Sequence, residues 1–106
     1  MICGNERARK WRDALEREAH VRTANVRVVV VHPRFVNAEP EYRNGTVRLP
    51  AWIFSESRGF WARTWRHELQ HAADDRSGLL AYITRDEAEE RARRAEHAEP
   101  RASRHP

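Results

Sequence analysis

The segment RGFWARTWRHELQHAADDR, residues 58–76, constrains this chain more than any other. Its apolar residues Trp61, Trp65, Leu69, Ala72 and Ala73 recur at helical spacing, while His67 and His71 fall on the opposite side of the same wheel. A helix with that pattern has an apolar back that must pack on a core and a polar front that must face a cleft. Two tryptophans behind the histidines have no place on a fully solvated helix. Ser55 or Ser57 can cap its start and Ser77-Gly78 can stop its end.

The rest of the chain has to build the core that this helix covers. Residues 5–20 read as an amphipathic helix, with Ala8, Trp11, Leu15 and Ala19 on one face. VRVVVVH (26–32) is β-branched and nearly continuous, the pattern of a mostly buried strand, and Pro33 ends it. NAEPEYRNG (37–45) reads as a turn-rich loop in which Asn44-Gly45 is a tight-turn signal. TVRLP (46–50) alternates and stops at a proline, which suits a short edge strand. AWIFSES follows as a connection or short strand, and LLAYI (79–83) as a short apolar crossover. Thr84 begins a last helix, about 85–97, with Ala88, Ala92 and Ala95 on one face, and residues 98–106 read as a frayed tail. The fold class expected is α+β. One small domain over residues 1–97 would hold an N-terminal helix, a short, mainly antiparallel sheet with an edge strand, the histidine helix and a C-terminal helix.

Composition narrows the functions. A chain of 106 residues buries only about two thirds of its unfolded surface, so a bound metal would add usefully to its stability. Lys and Arg outnumber Asp and Glu by 20 to 16, but the arginines are scattered through every segment, often beside Glu. That is the pattern of a solvated surface, and it argues against a nucleic-acid partner. The single cysteine rules out an internal disulfide and a zinc ribbon. No apolar stretch approaches the roughly 18 residues of a membrane span and no hydrophobic leader is visible, so a cytoplasmic location and no membrane partner are expected.

The chemistry lies in the two histidines. At about 100° per residue, His71 lies about 40° round the wheel from His67 and one turn further along, so both imidazoles can meet one ion. Glu68 flanks that face, too far round to be a third ligand but able to reach a water beside the ion. His-Glu-x-x-His thus combines two neutral nitrogen ligands with a general base. The plain alternative is two surface histidines in an i, i+4 pair. A third ligand has to come from elsewhere. Asp74 shares the face of His67 but lies about 10 Å along the axis, which suits an acceptor for a histidine N–H better than a ligand. In the last helix, Glu87 and Glu89 flank the alanine stripe on opposite sides, and Glu90 points away. Glu87 is the first choice and Glu89 the second. Thr84-Arg85-Asp86-Glu87 also fits a capping box, which would occupy Glu87 instead.

HELQHAADDRSGLLAY resembles the active-helix segment of thermolysin-type gluzincin metallopeptidases. EAEERA (87–92) is similar to the Glu-Ala start of their third-ligand helix and of that in ImmA/IrrE-type peptidases. GTVRLPAWIF resembles the edge strand that precedes the active helix in minimal zincins. The resemblance spans roughly residues 45–95, and only His-Glu-x-x-His is highly specific within it. It implies a zincin-like fold, one Zn2+ per chain held by His67, His71 and Glu87, and Glu68 as general base. It also implies a peptide or protein substrate laid along Thr46, Val47, Arg48 and Leu49. The chain departs from the pattern in places. The interval from His71 to Glu87 is short, Arg91 stands where thermolysin-type enzymes keep an orienting Asp, and no third histidine or Met-turn of the metzincin kind is present.

Two other classes compete with this reading. One is a non-catalytic zinc-containing regulatory or protein-binding module, against which an intact Glu68 argues. The other is an Arg-rich nucleic-acid binder, whose affinity would fall steeply with salt. Tyr42, Tyr82 and His32 are candidates for supporting an oxyanion, and Trp52 and Phe54 for lining a pocket, although a structural role suits each of them better. The sequence leaves the oligomeric state open.

Overall fold

Asn44 and Gly45 decide the sheet. Both take positive φ, 49° and 82°, a region open to glycine and easier for asparagine than for most residues. Two such residues in succession make a type I′ hairpin loop, whose twist matches that of the strands it joins. Arg43 pairs with Thr46 across the loop, so β2 (Glu41–Arg43) and β3 (Thr46–Pro50) run antiparallel. Before them come α1 (Ile2–Thr23) and β1 (Arg27–Val31), and after them α2 (Arg58–Arg76) and α3 (Arg85–Glu96). The architecture is that of a computed structural model, which describes residues 2–23, 25–31 and 39–97. His32 and the expected tail at 98–106 lie outside them.

Among the described residues the fold is α+β, three α-helices with one three-stranded sheet. The strand order is β1-β3-β2, and β1 lies parallel to β3, with Val28 opposite Val47 and Val30 opposite Leu49. The sheet is therefore mixed rather than mainly antiparallel, and Thr46, Val47, Arg48 and Leu49 form its central strand rather than an edge. The expectation fails at residues 41–43, which the Pro- and Asn-rich surroundings disguise as loop. Three residues are too few for strand alternation to show. β1, expected to be mostly buried, lies at the end of the sheet with Val29 36% exposed. A continuous valine run does not say whether a second layer covers its outer face.

The core lies between the sheet and two helices. Val47 and Leu49 of β3 are fully buried while Arg48 between them is exposed, so one face packs and the other meets solvent. Leu15 and Ala19 of α1 join Trp61, Trp65, Leu69 and Ala72 of α2 against that face, with Ile53 from a 3-10 turn at Ala51–Ser55. That turn occupies the stretch expected to be a connection or strand. Trp11 and Trp61 meet at 4.6 Å between ring centroids. Trp65 is 1% exposed, and its indole N–H donates to Glu18 Oε1 at 3.0 Å, so its burial leaves no polar atom unsatisfied.

The residues at its ends fix the length of α2. The Ser57 side chain accepts from the Phe60 N–H at the start. At the end Gly78 takes φ 83°, the left-handed conformation that stops a helix. A 3-10 turn at Leu79–Ala81 then reverses the chain, and Thr84 with Glu87 closes a capping box that starts α3. Ala88, Ala92 and Ala95 are buried along α3, and small side chains there let its backbone approach α2 closely. Arg91 clamps the two helices together. Its Nε and one terminal N–H donate to the Asp74 carboxylate at 2.8 and 2.9 Å. Asp74 is 2% exposed and also accepts from Gln70 Nε2 at 2.9 Å.

Candidate metal centre

The apolar back of α2 is held by the core, so its polar front turns outward, and α3 lies across it. His67 and His71 stand one turn apart with ring centroids 5.0 Å from each other. Between them comes Glu89 of α3. Its Oε1 lies 3.2 Å from His67 Nε2 and its Oε2 lies 3.2 Å from His71 Nε2. These three side chains form a group that could hold a metal ion, with one ligand atom from each and all within 4.8 Å of one another. Neighbouring ligands of a four-coordinate ion with bonds of about 2.0–2.1 Å stand roughly 3.3 Å apart. Each Glu89 oxygen stands near that spacing from one histidine, and two imidazoles with one carboxylate are a donor set such ions accept. Burial, opposed by Glu89, lowers the His71 pKa, which favours the neutral imidazole that a metal requires.

Glu87, the first choice from sequence, is not in this group. Its Oε1 accepts from the Thr84 amide at 2.8 Å, and its own amide donates to Thr84 Oγ1 at 3.1 Å. The carboxylate is the helix cap and is exposed. The two glutamates lie about 200° apart on the wheel, so once the alanine stripe docks on α2, one faces the histidines and the other cannot. Which one depends on how α3 crosses α2, and the local sequence does not say. Asp74 is also outside the group, since both its oxygens are engaged by Arg91 and Gln70. Arg91, at the position where the resemblance calls for an orienting carboxylate, is instead that aspartate's partner.

A different carboxylate does reach His67. Glu96, the last residue of α3, places Oε2 2.6 Å from His67 Nδ1. His67 is therefore held between two glutamates seven residues apart on one helix, each on its own ring nitrogen. Sequence reasoning missed Glu96. The available signal was the seven-residue spacing from Glu89, two turns along the same face.

No family model, no curated protein and no solved structure matches this chain. What the site can do has to be read from its own geometry.

Glu68 is next to the group and only 6% exposed. Burial is the main reason its pKa rises from 4.5 to about 7; Glu89, Glu41 and Glu96 add to the rise and His67 opposes it. A carboxyl group held near neutrality can both accept and return a proton. Two open clefts meet at Glu68. One, of about 570 Å³, runs past His67, His71 and Glu89 towards Leu80, Ile83 and Ala88, with Glu41 and Tyr42 of β2 opposite. The other, of about 320 Å³, shares Pro40, His67 and Glu68 with it and is walled by Trp52 and Phe60.

The strand bordering the larger cleft is thus β2, not β3, and β2 has no strand on its outer side among the described residues. Tyr42 is tied down. Its hydroxyl donates to Asp75 Oδ2 at 2.6 Å and accepts from the Gly45 amide at 2.9 Å. Burial and that carboxylate push its pKa up to about 12. Tyr82 is 86% exposed and lines neither cleft. Trp52 lines the smaller cleft, while Phe54 packs against the core. Among the described residues no helix is long and apolar enough to cross a membrane.

Proposed function

We propose that this protein is a zinc metallopeptidase of the gluzincin kind, with His67, His71 and Glu89 as the ligands and Glu68 as general base. The observation that carries the reading is the Glu89 carboxylate between the two Nε2 atoms, with buried Glu68 beside it in an open cleft. Two histidines in a plain surface pair would need neither. A non-catalytic metal site would have no use for a desolvated carboxyl group next to its ligands.

Zinc, when bound, supplies Lewis acidity, acidifying a water and polarising a carbonyl. The chain's own residues do the rest. Glu68 takes the proton from the attacking water and returns it to the leaving amine nitrogen. An extended peptide can pair with the outer edge of β2, which brings its backbone along the cleft. Leu80 and Ile83 on one side of Glu68, and Trp52 and Phe60 on the other, offer apolar surface to side chains flanking the cleaved bond. A zincin-like fold belongs to the same proposal and is supported by the order of strand, histidine helix and carboxylate helix around the cleft.

The test is elemental analysis of the purified protein with a peptide-library cleavage assay on the zinc-loaded sample. About one zinc per chain and cleavage at defined bonds, with cleavage lost and zinc kept in Glu68→Gln, is the expected result. Absence of zinc binding at neutral pH would overturn the proposal outright. Cleavage by Glu68→Gln at the parent rate would remove the general-base role.

A further inference from the structure

His67 is the one histidine of the pair with both ring nitrogens engaged by carboxylates. The Nδ1 contact to Glu96 is 2.6 Å and the Nε2 contact to Glu89 is 3.2 Å. A neutral imidazole carries one proton, and the shorter contact marks where it is best held, on Nδ1 and donated to Glu96. Nε2 is then left with its lone pair facing the Glu89 oxygen at 3.2 Å; both atoms are acceptors, so a cation between them is what makes that contact favourable. Glu96 cannot itself be a ligand of the same ion, because it meets the opposite edge of the ring. The contact is sheltered, with the side chains of His67 and Glu96 19% and 26% exposed. The backbone of Glu96 is anchored as well, its carbonyl accepting from Arg66 Nη1 at 3.3 Å. Arg66 immediately precedes His67 in α2, so the same turn of α2 holds both the imidazole and the residue that orients it.

We infer that Glu96 is a positioning residue for the metal centre: it fixes the Nδ1–H tautomer of His67, so that Nε2 is presented as a ligand before any ion arrives. α3 then supplies both a ligand, Glu89, and the orienting group, Glu96, from one face two turns apart. The Asp74–Arg91 clamp lies between them and holds that face in register with α2. The site is therefore completed by the docking of α3, although two of its three ligands lie in α2. The inference rests on the metal reading above and concerns one residue that reading does not need.

The experiment measures zinc affinity by competition with a chelator for the parent, Glu96→Gln, Glu96→Ala and, as a control on the same helix, Glu90→Gln. Glu90 is exposed and pairs with Arg93 and Arg94. In parallel, nitrogen-15 NMR of the metal-free proteins above neutral pH reads the His67 tautomer, and thermal melts report the fold. Loss of an orienting carboxylate weakens metal binding by roughly 10–100-fold. The expected result is a loss in that range for Glu96→Ala, a smaller one for Glu96→Gln, which keeps an acceptor oxygen, and none for Glu90→Gln. The Nδ1–H signal should dominate in the parent and give way to a tautomer mixture in Glu96→Ala. Parent-like affinity in Glu96→Ala, or an unchanged tautomer, overturns the inference and leaves the metal reading intact. A loss of affinity matched by a loss of fold in the metal-free melts overturns it too. A parent that binds no zinc defeats the metal reading itself.

Discussion

Replacing Glu68 by Gln should make the metal-free protein more stable at alkaline pH. Glu68 is pushed from 4.5 to about 7 in the fold, so the folded chain holds its proton more tightly than the unfolded chain does. Stability from that group is fully present below about pH 4.5 and is lost as pH rises through about 7. A shift of about 2.5 units, at 1.36 kcal/mol per unit, is a loss of about 3 kcal/mol by pH 8. Glutamine has no proton to lose and keeps the low-pH stability throughout. In a domain of this size that difference is roughly 12–24 °C in Tm. His71 titrates in the opposite sense. Its lowered pKa adds stability above its ordinary value and removes it as pH falls, but it does so in both proteins, so the difference between them isolates Glu68. The assay is thermal or urea unfolding of parent and Glu68→Gln in chelator, from pH 4 to pH 8. The two curves should converge at the acid end and diverge through pH 5–7. Parallel curves would refute the argument that burial of an ionisable group at the cleft costs the fold. Saturating zinc should close the gap, because a nearby dication favours the ionised carboxylate.

The ligand assignment separates two glutamates two residues apart. Glu89→Gln should lose zinc, whereas Glu87→Ala should keep it and lose only about 0.3–1.5 kcal/mol of stability from the broken capping box; calorimetric titration and melts of the two variants check this. Zinc at 1,000 times its Kd should stabilise the parent by about 4 kcal/mol and His67→Ala not at all, read as the change in Tm on adding metal. Gly45→Ala places a side chain at φ 82° and should cost about 1–2 kcal/mol, measured by urea unfolding. Asp74→Asn weakens the charged pair with Arg91 and should cost roughly 1–3 kcal/mol. It should also lower zinc affinity by loosening α3, which a chelator competition would detect.

Periodicity and end signals made the helices legible. The 58–76 segment is α2 from its first residue to its last, because the Ser57 cap and the Gly78 stop are local chemistry. The Asn44-Gly45 turn was equally local. The sheet was not. A three-residue strand carries no pattern of its own, and β2 exists because the hairpin holds Glu41–Arg43 against β3. That pairing makes β3 central and transfers the free edge to β2.

The site divides along the same line. One helical period places His67, His71 and Glu68, and any chain with this segment in an α-helix would present them together. Their spacing is internal to one element and needs nothing else. The carboxylates come from a different element, and their roles depend on how that element docks. The sequence shows Glu87 and Glu89 on opposite flanks of the alanine stripe but not the direction from which α2 lies against it. Packing of Ala88, Ala92 and Ala95, with Arg91 locked to Asp74, turns Glu89 and Glu96 towards His67 and leaves Glu87 to cap the helix. Contacts within a helix follow from its period, whereas contacts between helices follow from a rotation and a register that only close packing selects.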